Sequence, residues 1–302
     1  MRVYVTGGTG FIGSYMVKEL SDKKYQVVVL ARNPSKVPSL ASLSGVKIVK
    51  ADMLDFSSLK NALKEPGALI HTALCWGDTG PEMILNETLN SVRLIELAIK
   101  RGAKKIIYTS STAAAGMPEG RDKTESDIRK PSDFYGASKG SVELYISAYS
   151  SYFRKVKFNI VRPGYTFGNP VVPGAPMEPD SRFRDICSAA IRSKKIELIK
   201  NDGTQFIWAG SLARVYSALL NSGISNEIFF GLSRNFITWE QIAKWAVKYS
   251  GSSSKIITED LGWSSAPSCF SVKKIESALG LSFNSTPHVK EHIKYLLGEA
   301  GA

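Results

Sequence analysis

The chain has 302 residues, of which 43% are hydrophobic, and its net charge of +12 comes from 39 basic and 27 acidic side chains. This length allows one large domain or two that share a core, and no stretch approaches the ~20 consecutive apolar residues of a membrane span. Three scattered cysteines exclude a disulfide framework, and no secretory leader is recognisable, so we expect a soluble, cytoplasmic protein. Because the basic residues are scattered, we expect neither a nucleic-acid nor a membrane partner.

Short apolar runs rich in β-branched residues alternate with longer segments of helical periodicity in the first half of the chain. The runs predict six strands, at 2–6, 25–30, 46–50, 68–71, 105–109 and 157–161. The clearest helical patterns lie at 82–101 and 133–153. Strands separated by helices of this length form right-handed crossovers, and continuous apolar runs are typical of buried parallel strands. The pattern therefore predicts an α/β fold with a doubly wound parallel sheet, the Rossmann architecture.

The pattern changes after Pro163. Residues 164–179 are rich in proline and glycine, which predicts a loop. Beyond it, the spacing predicts a strand near 205–208 and four helices, near 181–193, 211–221, 238–249 and 286–297. We therefore divide the chain into a domain of residues 1–165 and a smaller C-terminal α/β domain of residues 166–302, some elements of which return to the sheet.

A glycine-rich turn follows the first predicted strand directly. The turn and the start of the next helix comprise Gly7, Gly10, Phe11, Ile12 and Gly13. Glycine allows a tight turn and a close approach of a pyrophosphate to the backbone, while the helix N-terminus offers N–H groups to the anion. Because the triplet lies between a strand and a helix, we interpret the first domain as a dinucleotide-binding domain. The second domain would then mainly bind the substrate.

The end of the second strand bears on the choice of dinucleotide. An acidic residue there would accept hydrogen bonds from the adenosine ribose hydroxyls, but this chain has Ala31 followed by Arg32. The Arg32 guanidinium could instead pair with a 2′-phosphate. The sequence therefore favours NADP over NAD, the alternative being that Arg32 is a solvated loop residue.

Tyr135 and Lys139 form a YxxxK pair at the start of the helix predicted over 133–153. Their spacing of four residues places both side chains on one helix face. A nearby ammonium favours the phenolate form of a tyrosine, so Tyr135 could exchange a proton with a substrate hydroxyl while the nicotinamide exchanges hydride. A third polar group is expected at the carboxyl edge of the sheet, where the strand 105–109 runs into Ser111.

These motifs together resemble the extended short-chain dehydrogenases/reductases, in particular the NAD(P)-dependent epimerase/dehydratase family. The motifs, in the family's order, are TGGTGFIG at 6–13, Asp52 after the third strand, IHTAL at 70–74, YTSSTAAAG at 108–116, YGASK at 135–139 and RPGYTFGNP at 162–170. The resemblance covers the first 170 residues and implies a nicotinamide-dependent enzyme that assembles as a homodimer through helices 82–101 and 133–153. It implies no metal.

The resemblance also assigns roles to single residues. It implies a catalytic set of Ser111, Tyr135 and Lys139, in which Lys139 also binds the nicotinamide ribose. The residues that it places against the cofactor are Asp52, Met53, Ala73 and Pro163. From the residues alone, Asp52 could instead be a cap, and we interpret His71 as a buried histidine at a strand end.

Three parts of the chain depart from the family pattern. Thr112 and Ala113 stand where sugar dehydratases carry an Asp-Glu pair, which argues against elimination chemistry. Ile207 follows Gln205-Phe206 where nucleotide-sugar epimerases carry an arginine that binds the diphosphate. Glu87 stands at the place of the family's asparagine in the helix before the serine strand, although Asn86 lies next to it.

The sequence leaves three functions open. The first is hydride transfer at a secondary alcohol or ketone carbon of a sugar-like or nucleotide-sugar substrate, by an oxidoreductase or epimerase. The second is an NADPH-dependent carbonyl reductase or dehydrogenase of a small molecule without a nucleotide. The third and least supported is a non-catalytic dinucleotide sensor, since Ser111, Tyr135 and Lys139 are all present.

Overall fold

The structure is a computed structural model that describes residues 1–300. Its strands, in chain order, are β1 Arg2–Thr6, β2 Gln26–Ala31, β3 Val46–Lys50, β4 Ala68–His71, β5 Lys105–Thr109, β6 Lys157–Pro163, β7 Thr166–Phe167, β8 Ile196–Ile199, β9 Gly203–Thr204, β10 Ile207–Trp208, β11 Glu227–Gly231, β12 Ile237–Thr238 and β13 Ile256–Glu259. Its α-helices are α1 Phe11–Asp22, α2 Phe56–Ala62, α3 Gly80–Met83, α4 Asn90–Lys100, α5 Thr112–Ala115, α6 Phe134–Tyr152, α7 Arg182–Ile191, α8 Ala209–Asn221, α9 Trp239–Ser250, α10 Lys273–Leu279 and α11 Thr286–Ala300.

Seven of the strands in the described range form one parallel sheet, in the order β11-β6-β5-β4-β1-β2-β3. The chain crosses from one half of the sheet to the other between β3 and β4, which is the reversal that defines a doubly wound fold. All six predicted strands are found, each within one or two residues of its expected bounds. The predicted fold class is therefore confirmed.

Helices cover both faces of this sheet because its strand residues alternate between two apolar clusters. Val3 and Val5 of β1 face the cluster that includes α1 and α8. Tyr4 between them faces the cluster that includes α4 and α6. The central strands are thus buried on both sides, which fixes the position of their carboxyl ends.

The helix predicted over 82–101 is present, but it contains a π-helical segment. The π-helical segment Ile84–Leu89 joins α3 to α4 in one continuous helical run. Thr79 and Glu82 form a capping box at its start, so the entry point of the run is fixed. A π-helical turn holds an extra residue and rotates the side chains that follow, and such turns are common at functional sites.

The second half of the chain differs in detail from its prediction. The strand predicted near 205–208 is wrong as a single strand, because Gln205 and Phe206 separate β9 from β10. The Gln205 side chain is instead buried and bonds to the backbone of Ser233 and Phe270. The sequence analysis missed β8, β11 and β13, of which β11 is an edge strand of the main sheet.

A separate apolar layer lies over the carboxyl end of the sheet. Its centre is an aromatic cluster of Phe167, Phe183, Phe206 and Trp239, whose rings pack mainly edge to face. Helices α7, α9 and α11 contribute the remainder of this cluster. The division of the chain at residue 165 into two functional domains stays a prediction.

Candidate active site

The glycine-rich turn is packed so tightly that side chains cannot replace its glycines. Gly7 has a φ of 68°, and a Cβ there would lie 2.7 Å from the backbone nitrogen of Ala73. A Cβ on Gly13 would overlap the carbonyl oxygen of Gly7. The N-cap residue of α1 is Gly10, which brings no side chain to the helix start. The N–H groups of the first turn of α1 can therefore donate hydrogen bonds to an external anion.

A cleft of about 560 Å³ opens in front of this turn, along the carboxyl edge of the sheet. The residues of its lining that the sequence analysis assigned to the cofactor are Gly7, Gly10, Arg32, Asp52, Met53 and Ala73. The other residues assigned to the cofactor lie elsewhere. Phe11, Ile12 and Gly13 belong to α1 and its packing against the sheet, while Pro163 is buried at the end of β6.

The cleft also contains residues that the sequence analysis missed. Lys36, in a short 3₁₀ turn after Arg32, adds a second cation to the same wall. Trp76 lines the opposite end and is 60% exposed. The signal for Lys36 was its proximity in sequence to Arg32. No such signal indicated Trp76, because it reaches the site through its contact with Tyr135, which lies far away in the sequence on α6.

Asp52 lies in the cleft after β3. One of its carboxylate oxygens accepts a hydrogen bond from the N–H of Leu54 at 3.0 Å, and its own N–H donates to the hydroxyl of Ser58. The carboxylate therefore shapes the loop in which it stands and still faces the cleft. Both interpretations of Asp52 are compatible with this geometry.

Tyr135 stands where the cleft meets the helix α6. Asp133 caps this helix by accepting a hydrogen bond from the N–H of Gly136 at 2.6 Å, which fixes its first turn. The half-buried Tyr135 ring lies 6.1 Å from the ring of Trp76. The Lys139 ammonium lies 5.9 Å from the centre of the Tyr135 ring. The structure thus brings Tyr135 and Lys139 together beside the cleft.

Lys139 is buried, with only 3% of its surface exposed, and its ammonium is held by a carboxylate. It donates to an oxygen of Glu87 at 2.6 Å and to the carbonyl of Thr109 at 3.2 Å. Glu87 is itself 1% exposed. Burial raises the pKa of the Glu87 carboxyl, but the Lys139 charge, with the hydrogen bonds from Lys139 and the Cys75 N–H, outweighs this and holds that pKa below its usual range.

Ser111 lies on the element next to Tyr135. It is half-buried, and its hydroxyl caps the short helix α5 by accepting from the N–H of Ala113 at 3.1 Å. The start of α6 packs against α5, because a Cβ on Gly136 would lie 2.5 Å from the Ala113 carbonyl. Ser111 therefore lies close to the Tyr135 turn, while the neighbouring Ser110 is buried and bonds to Glu143.

His71 is fully buried at the end of β4, as interpreted from the sequence. One ring nitrogen shares a hydrogen bond with the hydroxyl of Thr6 at 2.7 Å, and the other with that of Ser91 at 2.9 Å. Burial lowers the pKa of His71 to about 4, so the ring is neutral near pH 7. It supports the strand ends without facing the cleft.

Within residues 1–300, no group of three or more His, Cys, Asp or Glu side chains is arranged to hold a metal ion. No helix in that range has both the length and the apolar composition needed to span a bilayer.

The fold is a doubly wound Rossmann sheet, and Tyr135 and Lys139 have the YxxxK spacing of the short-chain dehydrogenases. The model of the NAD dependent epimerase/dehydratase family matches residues 3–230, and the chain belongs to this family. The resemblance stated from the motifs is thus confirmed.

Two curated relatives show the range of the family. Cinnamoyl-CoA reductase 1 of Petunia hybrida is 35% identical over 126 residues, which are 40% of this chain and 38% of that protein. UDP-glucose 4-epimerase of Pasteurella multocida (strain Pm70) is 30% identical over 185 residues, which are 57% of this chain and 54% of that protein. The chain thus matches only about four-tenths to just over half of their lengths.

Solved structures resemble the whole chain. A UDP-glucuronic acid 4-epimerase from Bacillus cereus in complex with NAD has a TM-score of 0.82 and 20% identity, covering 99% of this chain and 96% of its own. A UDP-glucose 4-epimerase with UDP-glucose from Thermotoga maritima has a TM-score of 0.78 and 21% identity, covering 99% and 98%. At this level of identity the likeness establishes the fold.

Proposed function

We propose that this chain catalyses nicotinamide-dependent hydride transfer at a secondary alcohol or carbonyl carbon of a small molecule. The observation that carries the proposal is the position of Tyr135, between the cleft wall at Trp76 and the buried Lys139 ammonium. A phenol held beside a cation at the mouth of a dinucleotide cleft is suited to exchange a proton with a substrate oxygen.

The residues present fit a nicotinamide dinucleotide. The turn at Gly7 and Gly13 would hold the pyrophosphate, because it excludes Cβ atoms and presents the start of α1. Asp52, Met53 and Ala73 would line the adenosine half of the cleft. When bound, the nicotinamide supplies the hydride acceptor or donor.

Side chains of the protein would exchange the proton and orient the substrate. Tyr135 takes the proton of a substrate hydroxyl in oxidation and returns it to the oxygen in reduction. The Lys139 ammonium stabilises the phenolate by its charge. Ser111 orients the substrate oxygen by donating a hydrogen bond from its O–H, which stays free because the Ala113 N–H uses only a lone pair of the same oxygen.

We place a reductase or dehydrogenase of a small carbonyl compound first. Ile207, which stands where the family pattern has the diphosphate-binding arginine, is fully buried in β10, so this position supplies no cation for a diphosphate. Cinnamoyl-CoA reductases are among the relatives of at least 30% identity. A nucleotide-sugar epimerase is the second candidate, supported by the UDP-glucose 4-epimerase relative.

NADP is the proposed cofactor, in preference to NAD. Arg32 and Lys36 are both exposed on the wall of the cleft, where two cations would attract the extra phosphate of NADP. The similar UDP-glucuronic acid 4-epimerase from Bacillus cereus was solved in complex with NAD, so this preference goes beyond that structure.

A homodimer is the proposed assembly. Leu144, Tyr145 and Tyr152 on α6 are more than half exposed, as are Ile84 and Leu85 in the π-helical segment. Large apolar side chains on two neighbouring helices are typical of a surface that another subunit covers.

The central experiment compares wild type with Tyr135→Phe. Each is incubated with NADPH and a panel of aldehydes and ketones, or with NADP⁺ and UDP-glucose, and NADPH absorbance and epimer formation are recorded. We expect Tyr135→Phe to lose at least ~10²-fold in turnover while NADPH affinity stays within about threefold. Turnover within tenfold of wild type would refute the role of Tyr135.

The same measurement separates the two candidates. A reductase consumes NADPH in proportion to product and exchanges its cofactor freely. An epimerase converts UDP-glucose to UDP-galactose with no net change in NADPH and retains the nicotinamide through purification. Failure of both reactions on wild type would contradict the proposal of hydride transfer for these substrate classes.

A further inference from the structure

Behind the site, both oxygens of the buried Glu87 carboxylate accept hydrogen bonds. Glu87 lies in the π-helical segment, and one of its oxygens accepts from the Lys139 ammonium at 2.6 Å and from the Tyr108 hydroxyl at 3.4 Å. The other accepts from the backbone N–H of Cys75 at 2.9 Å. Cys75 and its neighbours line the cleft, so Glu87 connects the cleft wall to Lys139.

The described surroundings of the Lys139 ammonium contain one carboxylate within ion-pair distance, that of Glu87. Its other close contacts are the Thr109 carbonyl and the rings of Tyr108 and Tyr135, at 5.0 and 5.9 Å. A carbonyl and two aromatic faces do not neutralise a charge that water no longer reaches. A buried ammonium without a counter-ion loses its proton far more readily than an exposed one.

We propose that Glu87 is a positioning residue, whose carboxylate is the counter-ion that keeps Lys139 charged and fixed beside Tyr135 before substrate and cofactor bind. This inference rests on the proposed function, because Glu87 acts only through the Tyr135–Lys139 pair. It gives a chemical role to a position at which the family pattern has an amide, since an asparagine could accept a hydrogen bond but could not neutralise the ammonium.

In the folded protein, the titratable groups near the Glu87–Lys139 pair keep their protonation states in alkaline solution up to pH ~10. Burial lowers the pKa of His71 to about 4, so this ring is already neutral. Burial raises the pKa of the Cys75 thiol to about 12 and that of the Tyr108 phenol well above its usual value. Tyr135 is removed by working in a Tyr135→Phe background. A change in proton binding over this range then reports on Lys139.

The test is the stability of Glu87→Gln as a function of pH, measured by urea unfolding of the whole chain without ligands. The amide keeps the shape and the hydrogen bond but removes the charge, so folded Lys139 binds its proton less tightly than the unfolded chain does. Stability rises with pH where the unfolded state binds more protons. The parent is Tyr135→Phe. We expect the unfolding constant of Glu87→Gln in this background, divided by that of the parent, to fall at least ~10-fold between about pH 7.5 and 10.

Glu143→Gln is the matched control. Glu143 is also fully buried and ion-paired, but its partners are the guanidinium groups of Arg162 and Arg129. Arginine keeps its proton throughout this range, so the loss of stability in Glu143→Gln should not change with pH. Glu87→Asp retains the charge and should behave as the parent does, apart from a loss of packing that is constant with pH.

A ratio that stays constant between about pH 7.5 and 10 in folded Glu87→Gln would overturn the inference. If Glu87→Gln does not fold near pH 7.5, the double variant Glu87→Gln/Lys139→Met must fold there, because it lacks the uncompensated ammonium. A double variant no more stable than Glu87→Gln would also overturn the inference. These readouts need no turnover, whereas the proposed function is tested by the turnover of wild type and Tyr135→Phe, so the two failures are distinguishable.

Discussion

Gly13 and Gly140 are both helical glycines, and the structure predicts opposite effects when each is replaced by alanine. Gly13 is the third residue of α1, and a Cβ there would overlap the Gly7 carbonyl. Gly140 lies inside α6, where the nearest atoms to a new Cβ are 3.5 Å away on Arg129 and 3.8 Å away on Ala114. Only the second site has room for a methyl group.

The magnitudes follow from two competing effects. Alanine stabilises a helix interior by about 1 kcal/mol relative to glycine, and both variants gain this contribution. At Gly140 the contacts are ordinary, so we expect a net gain of about 0.5–1 kcal/mol. At Gly13 the methyl group forces the turn to open, which costs roughly 1–3 kcal/mol and outweighs the gain in propensity. The opened turn should also weaken NADPH binding at least ~10-fold, because the pyrophosphate relies on close approach of the backbone.

Urea unfolding gives the stabilities, and quenching of protein fluorescence by NADPH gives the affinities. Gly140→Ala serves as the control for both, since it adds the same methyl group to a helix away from the turn. NADPH affinity of Gly13→Ala within about threefold of wild type would refute the assignment of this turn to the dinucleotide. If the Gly13→Ala protein were more stable than wild type, the turn would have room for the methyl group, and the inference from the packing distances would be wrong.

Three further predictions concern charge and assembly. Arg32→Ala should weaken NADPH binding about tenfold and leave NADH binding unchanged, as measured by calorimetry; equal losses for both would contradict a 2′-phosphate contact. The unfolded chain protonates His71 near pH 6.5 and the folded chain only near pH 4, so its stability contribution is complete above the first value and declines below it. Acidification from about pH 7 to 5 should therefore destabilise wild type by about 2 kcal/mol more than His71→Asn, and equal losses in urea unfolding would exclude this linkage. Tyr145→Asp should convert a micromolar dimer into a monomer by light scattering, whereas a monomeric wild type would contradict the proposed dimer.

The parallel sheet could be predicted because buried strands leave an uninterrupted apolar run in the sequence. β1, with Val3 and Val5 on one face and Tyr4 on the other, is apolar on both sides for that reason. β11 was missed although Ile228-Phe229-Phe230 forms such a run, because the regular alternation of strand and helix had already ended at Pro163. β8 and β13 pair only with each other, and short strands in a separate layer give little periodic signal.

The candidate site was predictable where its residues are close in sequence. The glycine turn and the Tyr135–Lys139 pair are local patterns, and each has a spacing that the secondary structure requires. Trp76 and Glu87 reach the same site through long-range contacts with α6. A period of 3.6 residues does place Glu87 on the inner face, four residues after Met83 and seven before Leu94, but it does not show that Lys139 of a distant helix pairs with it.

The donors around Glu87 explain how a charged residue can lie on the inner face of this helical run. Met83, Leu94 and Ile95 of the same helical run are buried against the sheet. A glutamate at a regular core position would meet only aliphatic side chains, and its charge would be uncompensated. At Glu87 the run instead meets the ends of β4 and β5, where the Cys75 N–H, the Tyr108 hydroxyl and the Lys139 ammonium converge. The carboxylate is stable there because these donors satisfy both of its oxygens, so removing the lysine alone should be as disruptive as removing the glutamate.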